Sequence, residues 1–419
     1  MENVAKNEIS PLYRWWVLLF VSLLTYGSYF AYDSIGAIST MLMKALHITH
    51  QDIGLMYSLY SWPNIVMVFF GGLLIDKIGT RKASMIFSTL IVIGATLVAT
   101  AINFKLMLLG RFIFGIGSES LVVAQSAILA KWFKGRELAM AFGIALTISR
   151  LGTLITFNTE AKIANYFNSW KMALWAAAFF CLLSFLSNVV YVILDKKAEK
   201  AGILTTSIGE GEAVDKIVLS DVKKLNAPFW YITLLCVTFY SAIFPFTAFS
   251  SDFFHEKWNF TLSTSGTLTS IIIFFSMCLA PFLGRLVDKV GKRATMMMIG
   301  SLMMIPCHLL MGISYIHPAI PMAILGLSFS LVPAAMWPSV PLIVEEKIVG
   351  TAFGLMTMVQ NIGLALFPLV IGKLRDVTHD YTAGMIVFSF LGLFGLFFAI
   401  MLKRSDRKFK CGLENPGLK

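Results

Sequence analysis

The length of its apolar runs constrains this chain most. A helix that crosses a bilayer needs about 20 consecutive apolar residues. Stretches of that kind recur at 14–39, 52–75, 83–102, 105–131, 137–160, 171–194, 228–251, 262–287, 294–314, 318–344, 348–372 and 381–402. That makes twelve, in two sets of six divided by a polar stretch at 195–227. They lack the apolar/polar alternation of barrel strands, and lipid requires each segment to satisfy its own backbone, so helices are expected. Composition agrees: 57% of the residues are hydrophobic and 14% charged, against roughly 25% charged in ordinary globular chains. The expected fold is an all-α polytopic membrane protein of twelve transmembrane helices in two pseudo-symmetric six-helix bundles. The bundles fall at 1–194 and 228–402, with a cytoplasmic linker at 195–227 and a basic cytoplasmic tail at 403–419.

The two sets share a motif. Gly71-Gly72-Leu73-Leu74-Ile75-Asp76-Lys77-Ile78-Gly79-Thr80-Arg81-Lys82 returns as Gly284-Arg285-Leu286-Val287-Asp288-Lys289-Val290-Gly291-Lys292-Arg293, each time between apolar runs. Asp-x-x-Gly-x-Arg alone says little, but a copy at the matching place marks a duplication. Gly79 and Gly291 are expected to allow a sharp turn. Gly72, Asp76, Gly79, Arg81, Gly284, Asp288, Gly291 and Arg293 are therefore read as conformational, gating positions.

The net charge of +11 invites a nucleic-acid reading, which its distribution argues against. Most Lys and Arg lie in the N-terminus, the even-numbered turns, the linker and the tail, which the positive-inside rule assigns to the cytoplasm together with both termini. The partners expected are the lipid bilayer and a small solute; no nucleic acid, metal or cofactor is expected. The five cysteines have no paired spacing and read as small apolar residues.

The fourth and fifth runs carry the most telling chemistry. Arg111, Gly115 and Glu119 share one helix face, and Arg111 joins the gating set. Arg150 lies in Ser149-Arg150-Leu151-Gly152. Counted from the cytoplasmic ends, Glu119 and Arg150 both sit roughly 18 to 20 Å deep. A charge there costs at least about 2.5 to 3.5 kcal/mol on insertion scales, so each must face a wet cavity or a partner. The bland alternative is a structural ion pair. A carboxylate and a guanidinium at one depth suit a zwitterion, with Glu119 taking the ammonium end and Arg150 the carboxylate end, the two pairing with each other when no solute is bound.

Tyr29, Tyr32, Tyr60, Trp62 and Gln125 complete the expected first-half wall, the aromatics being equally compatible with interfacial anchors. Asp33 lies roughly 28 Å along the first run, near the far interface, where a hydrated carboxylate is expected and a gate is the alternative. Aligning Ala141-Phe142-Gly143 with Ala352-Phe353-Gly354 gives an offset of 211 residues, which sets Ser330 opposite Glu119 and Asn361 opposite Arg150. The second half thus has no such charges and is expected to offer Tyr240, Trp337, Gln360 and Asn361, a packed kink being the other reading of Trp337-Pro338. Of the six histidines, only His308 falls well within a run; the others lie near outer loops, so a histidine proton relay is not expected.

Several segments together resemble one family. They are Tyr26-Gly27-Ser28-Tyr29-Phe30 with Tyr32-Asp33, Tyr60-Ser61-Trp62-Pro63-Asn64, Gly110 to Gly117 followed by Glu119-Ser120-Leu121, Trp132-Phe133-Lys134-Gly135, Asp221-Val222-Lys223, and Gly350-Thr351-Ala352 with Gln360-Asn361. The duplicated turns resemble those of the major facilitator superfamily, and these segments resemble its lysosomal dipeptide uniporter family of animals (major facilitator superfamily domain-containing protein 1). The resemblance implies a site between two bundles, alternating access, dipeptides or related cationic peptides as solute, and a glycosylated accessory subunit as partner of the animal members. It also implies peptide-terminus contacts at Glu119 and Arg150.

A monomer is expected. The N-terminus lacks the paired leucine or isoleucine of an acidic sorting signal, which favours a bacterial inner membrane over the lysosomal one. The alternatives are a proton-coupled symporter of an organic anion or sugar acid and, from another class, a non-transporting receptor or assembly subunit. An enzyme is not expected, since no Ser/His, His-Glu-x-x-His or paired Gly-Asp arrangement occurs.

Overall fold

The computed structural model describes residues 11–133, 137–201, 222 and 224–416. Residues 134–136 and residues 202–221 and 223 of the linker, and with them Lys134, Gly135, Asp221 and Lys223 of the segments named above, lie outside the described residues. Among the described residues there is helix and no strand. In chain order the first half holds α1 (Pro11–Ser22), α2 (Tyr26–Ala37), α3 (Ser39–Leu46), α4 (His50–Thr100), α5 (Phe104–Phe133), α6 (Leu138–Tyr166) and α7 (Trp170–Lys200). The second half holds α8 (Ala227–Trp258), α9 (Leu262–Val290), α10 (Arg293–Ile313), α11 (Ala319–Met336), α12 (Val340–Ile343), α13 (Val349–Thr378) and α14 (Thr382–Phe409).

Eleven of the helical stretches are long and apolar enough to span a membrane, and one counts twice. The 51 residues of α4 would reach about 76 Å if straight, but its backbone leaves the helical region at Gly79 (φ 82°, ψ 158°). There the chain reverses: Ser120 of α5 donates to the Met67 carbonyl of the first limb, while Asn188 of α7 bridges Ser84 and Ser88 of the second. Gly291 makes the equivalent turn at φ 69° between α9 and α10. Two other runs are interrupted. The first breaks between Ser22 and Tyr26 and, through α3, continues past the expected end at 39 to Leu46. The tenth passes through a 3-10 turn at Trp337–Ser339, where Pro338 lacks the amide hydrogen a regular helix would use.

The two copies of the turn are held differently. Arg81 reaches Asp195 and Glu199 near the end of α7, and the fully buried Asp195 also takes Lys131 at 2.8 Å and the Trp132 indole at 2.8 Å. Arg293 lies 3.3 Å from Asp288, and its backbone amide donates to the carbonyl of Leu413. The segment expected to be a basic tail is thus helical to Phe409 and then folds back onto the second turn. Glu414 accepts from the amide and hydroxyl of Thr295 at 2.9 and 2.6 Å and pairs with Lys403 at 3.2 Å. Partial burial alone would raise the Glu414 carboxyl, but its bonds to Thr295 and Lys403 outweigh that and hold it below the usual range.

At the end of the molecule away from these turns, the halves are sewn together. Ser58 donates to the Ala365 carbonyl at 2.6 Å, and Asn158 exchanges hydrogen bonds with Ser270 and Thr267 at 2.9 Å. A methyl group on Gly266 would come within 2.1 Å of the Phe157 carbonyl oxygen. This face is closed by backbone contact.

Candidate functional site

A cavity of about 170 Å³ lies between the halves, lined from the first by Tyr29, Tyr32, Asp33, Tyr60, Glu119 and Arg150 and from the second by Tyr240, Phe244, Phe329 and Gln360. Helix depth counted from the sequence therefore brings Glu119 of α5 and Arg150 of α6 to one chamber. They do not pair there, contrary to expectation: among the described residues no ion pair joins them, and each is satisfied otherwise. Glu119 lies 3.3 Å from the Tyr60 hydroxyl, whose single proton is shared between it and the Ser118 hydroxyl at 3.0 Å. The Arg150 guanidinium lies against three rings, 5.4 Å from Tyr29, 5.8 Å from Phe244 and 5.3 Å from Phe329. Such faces stabilise a cation without occupying its N–H donors, which stay free for a planar acceptor.

Asp33 corrects the reading of a hydrated interfacial carboxylate. It is 5% exposed, accepts from the Thr153 hydroxyl at 2.7 Å and lines the cavity. Its depth was misjudged because the first run extends through α3, so position 33 is interior. The formally charged groups lining the chamber are two acids, Asp33 and Glu119, and one base, Arg150.

Four residues expected at the site do not line it. Trp62 is 57% exposed on the outer surface; two residues beyond Tyr60, it is turned by about 200°. Gln125 is buried and donates to the Val21 carbonyl at 2.7 Å, next to the break between α1 and α2, where its oxygen also accepts from Thr25. Asn361 is buried with its amide on the Thr357 carbonyl, one helical step from Gln360, which does face the chamber. Trp337 stands behind the wall: its indole donates to the Tyr240 hydroxyl at 2.9 Å, its ring stacks on Phe353, and the packed-kink reading of Trp337-Pro338 holds.

Arg111 is 2% exposed and sits behind Tyr32 and Tyr60. It donates to the carbonyls of Met56 and Ala31 at 3.2 and 3.3 Å, 5.2 to 5.6 Å from the rings of Tyr57, Tyr60, Phe114 and Tyr32. It braces the tyrosine wall. Of the residues not foreseen, Thr153 is one turn on from Arg150, a signal the sequence did carry. Phe329 adjoins Ser330, the duplication counterpart of Glu119, and Ser330 itself bonds to helix backbone.

Twelve crossings, a duplicated turn and a chamber between the halves define a membrane carrier of one class. The profile of the Major Facilitator Superfamily matches residues 18–368, and the chain belongs to that superfamily. It is 36% identical over 379 residues to the lysosomal dipeptide transporter MFSD1 of Danio rerio, covering 87% of this chain and 81% of that one. The Homo sapiens protein of the same name is 36% identical over 377 residues, covering 87% and 80%. The chain is thus an MFSD1-like member of the superfamily, and these relatives carry the names of transporters rather than enzymes. Among solved structures, a mutant of the nucleoside transporter NupG superposes with a TM-score of 0.72 over 94% of this chain and 99% of its own, at 15% identity. That likeness speaks for the fold alone.

Proposed function

We propose that this chain is a uniporter of dipeptides and related small zwitterionic or cationic peptides and amino acids, working by alternating access of one chamber to the two faces. The observation that carries the reading is the separation of Glu119 and Arg150: two opposite charges face one chamber without neutralising each other. A solute with an ammonium at one end and a carboxylate at the other satisfies both through charge-assisted bonds. The second acid, Asp33, adds a further acceptor to the lining, which suits a solute with an additional donor such as a cationic side chain. The chamber volume, below the ~300–1,000 Å³ of sites that enclose drug-sized ligands, favours a small one.

On this reading Tyr29, Tyr32, Tyr60, Tyr240 and Gln360 contact the solute, and the two halves, divided at residues 195–227, rock against each other, with the Gly79 and Gly291 turns as gating positions. Both termini face the cytoplasm of a cell, with a bacterial inner membrane as the host and a lysosomal membrane as the alternative. The names of the relatives support the solute class.

The test is thermal stabilisation of the purified chain by dipeptides, amino acids and sugar acids, followed by uptake into vesicles with and without a proton gradient. Dipeptides are expected to raise the melting temperature by mass action. Glu119→Gln and Arg150→Ala should each weaken binding about 10- to 100-fold, the cost of one charge-assisted bond of about 1.5 to 3 kcal/mol. Stabilisation by sugar acids alone, or dipeptide binding that both variants leave intact, would overturn the assignment. Uptake that requires the gradient would replace uniport by proton coupling.

A further inference from the structure

The closed face holds a cluster that no solute contact uses. His50 opens α4 two residues before its apolar run, beside the connection from α3, as its place near an outer loop leads one to expect. Its ring lies between two carboxylates of the other half: Nδ1 is 2.8 Å from Oδ1 of Asp376 on α13, and Nε2 is 3.1 Å from Oδ2 of Asp252 on α8. Both acids are surrounded by donors. Asp252, 1% exposed, accepts from the Tyr381 hydroxyl at 2.6 Å and from Thr40 of α3. Asp376 accepts from the backbone amides of His50 and Gln51 at 3.1 and 2.9 Å.

Carboxylates so placed act as acceptors only, whereas a neutral imidazole has one N–H and one lone pair. It can satisfy one of the two and sets its lone pair against the other. An imidazolium donates to both. The remaining charged neighbours are Glu256, 4.0 Å from Nε2, and Arg375, which holds Glu256 at 2.7 Å; on its own helix, Asp52 is engaged with Thr49. Three acids thus face one arginine around the ring, and a second positive charge brings the cluster closer to balance.

We propose that His50, held between Asp252 and Asp376, is a proton-binding site that joins the two halves, so that closing this face takes up one proton. Thr40 and His50 belong to the first half, and Asp252, Asp376 and Tyr381 to the second. Opening the face therefore removes both acids from the ring, which returns to ordinary histidine behaviour near pH ~6.5. The closed form binds the proton more tightly than the open one, and linkage fixes the sign. Stabilisation of the closed face is full below the open-form value and is lost as pH rises through the closed-form value. The proton and the solute occupy different places, so the site works whatever the chamber carries.

The experiment measures distances between spin labels on the full chain. The labels sit at Ile102→Cys and His317→Cys, exposed positions in the two halves, in a background with Cys278→Ser and Cys411→Ser. Between pH 5.5 and 8.5 the closed-to-open ratio is expected to fall by up to about tenfold per pH unit, the limit for one linked proton. The response should vanish in His50→Gln, and Asp376→Asn, which keeps the shape but removes a charge, should move the midpoint to lower pH. A ratio independent of pH in the labelled parent overturns the proposal, whatever the variants do. So does a response that persists in His50→Gln.

Discussion

At the scale of single residues, neighbours in sequence have separate roles. Trp337 acts on the chamber through the Tyr240 hydroxyl, so Trp337→Phe, which keeps the stack on Phe353 and removes one donor, should weaken solute binding about fivefold, the equivalent of about 1 kcal/mol. Trp62→Ala should leave binding unchanged, and a titration of solute against both variants checks the pair. Depth was legible here because helix rise is fixed: counting residues from the ends was enough to bring Glu119 and Arg150 to one chamber. Rotation was less legible. The internal duplication pointed to Asn361 where the helix presents Gln360, and a step of one residue turns a side chain by about 100°. Asp33 was misread for another reason. Ser39 and Thr40 dilute the apolar signal, yet packing against α8 carries helix on to Leu46, and with it moves the interior of the span.

Among the elements, the duplicated turn was evident in sequence, but the means of holding each copy was not. Asp195 lies more than 100 residues from Arg81, and Glu414 a similar distance from Thr295, so no local pattern announces either clasp. The two copies should respond differently to the same change. At Gly79 a methyl group meets nothing within 4 Å, so Gly79→Ala is expected to cost only the backbone strain, about 1 to 3 kcal/mol. At Gly291 the same methyl group would lie 2.1 Å from the Asn415 carbonyl oxygen, and Gly291→Ala should lower the melting temperature more. Removing residues 412–419 should narrow the difference between the two variants. A difference that truncation leaves untouched would mean that the tail is not what makes the second site intolerant.

For the whole molecule, the number of crossings and the two-fold repeat followed from apolar run lengths, because lipid restricts what a backbone can do. The seam between the halves followed from nothing local, since its partners come from opposite halves of the chain. The seam is tight at Gly266, and Gly266→Ala should force the closed face apart. With Cys278 and Cys411 replaced by serine, a reporter at Ser270→Cys, buried in the seam, should then react with a maleimide in detergent severalfold faster than in the parent. Equal rates would show that the seam yields elsewhere.

The unequal clasps also bear on how the protein is made. Among the described residues, the clasp on Arg81 is complete once residue 199 has been synthesised, whereas the second turn waits for residues 413–415, over 120 positions after Gly291. At translation speeds of about 5 to 20 residues per second, that is a delay of some 6 to 25 seconds. During it the joint between α9 and α10 has the Asp288–Arg293 pair but lacks the clasp of the tail. The first turn is thus clasped from within its own half, and the second only once the chain has passed beyond α14.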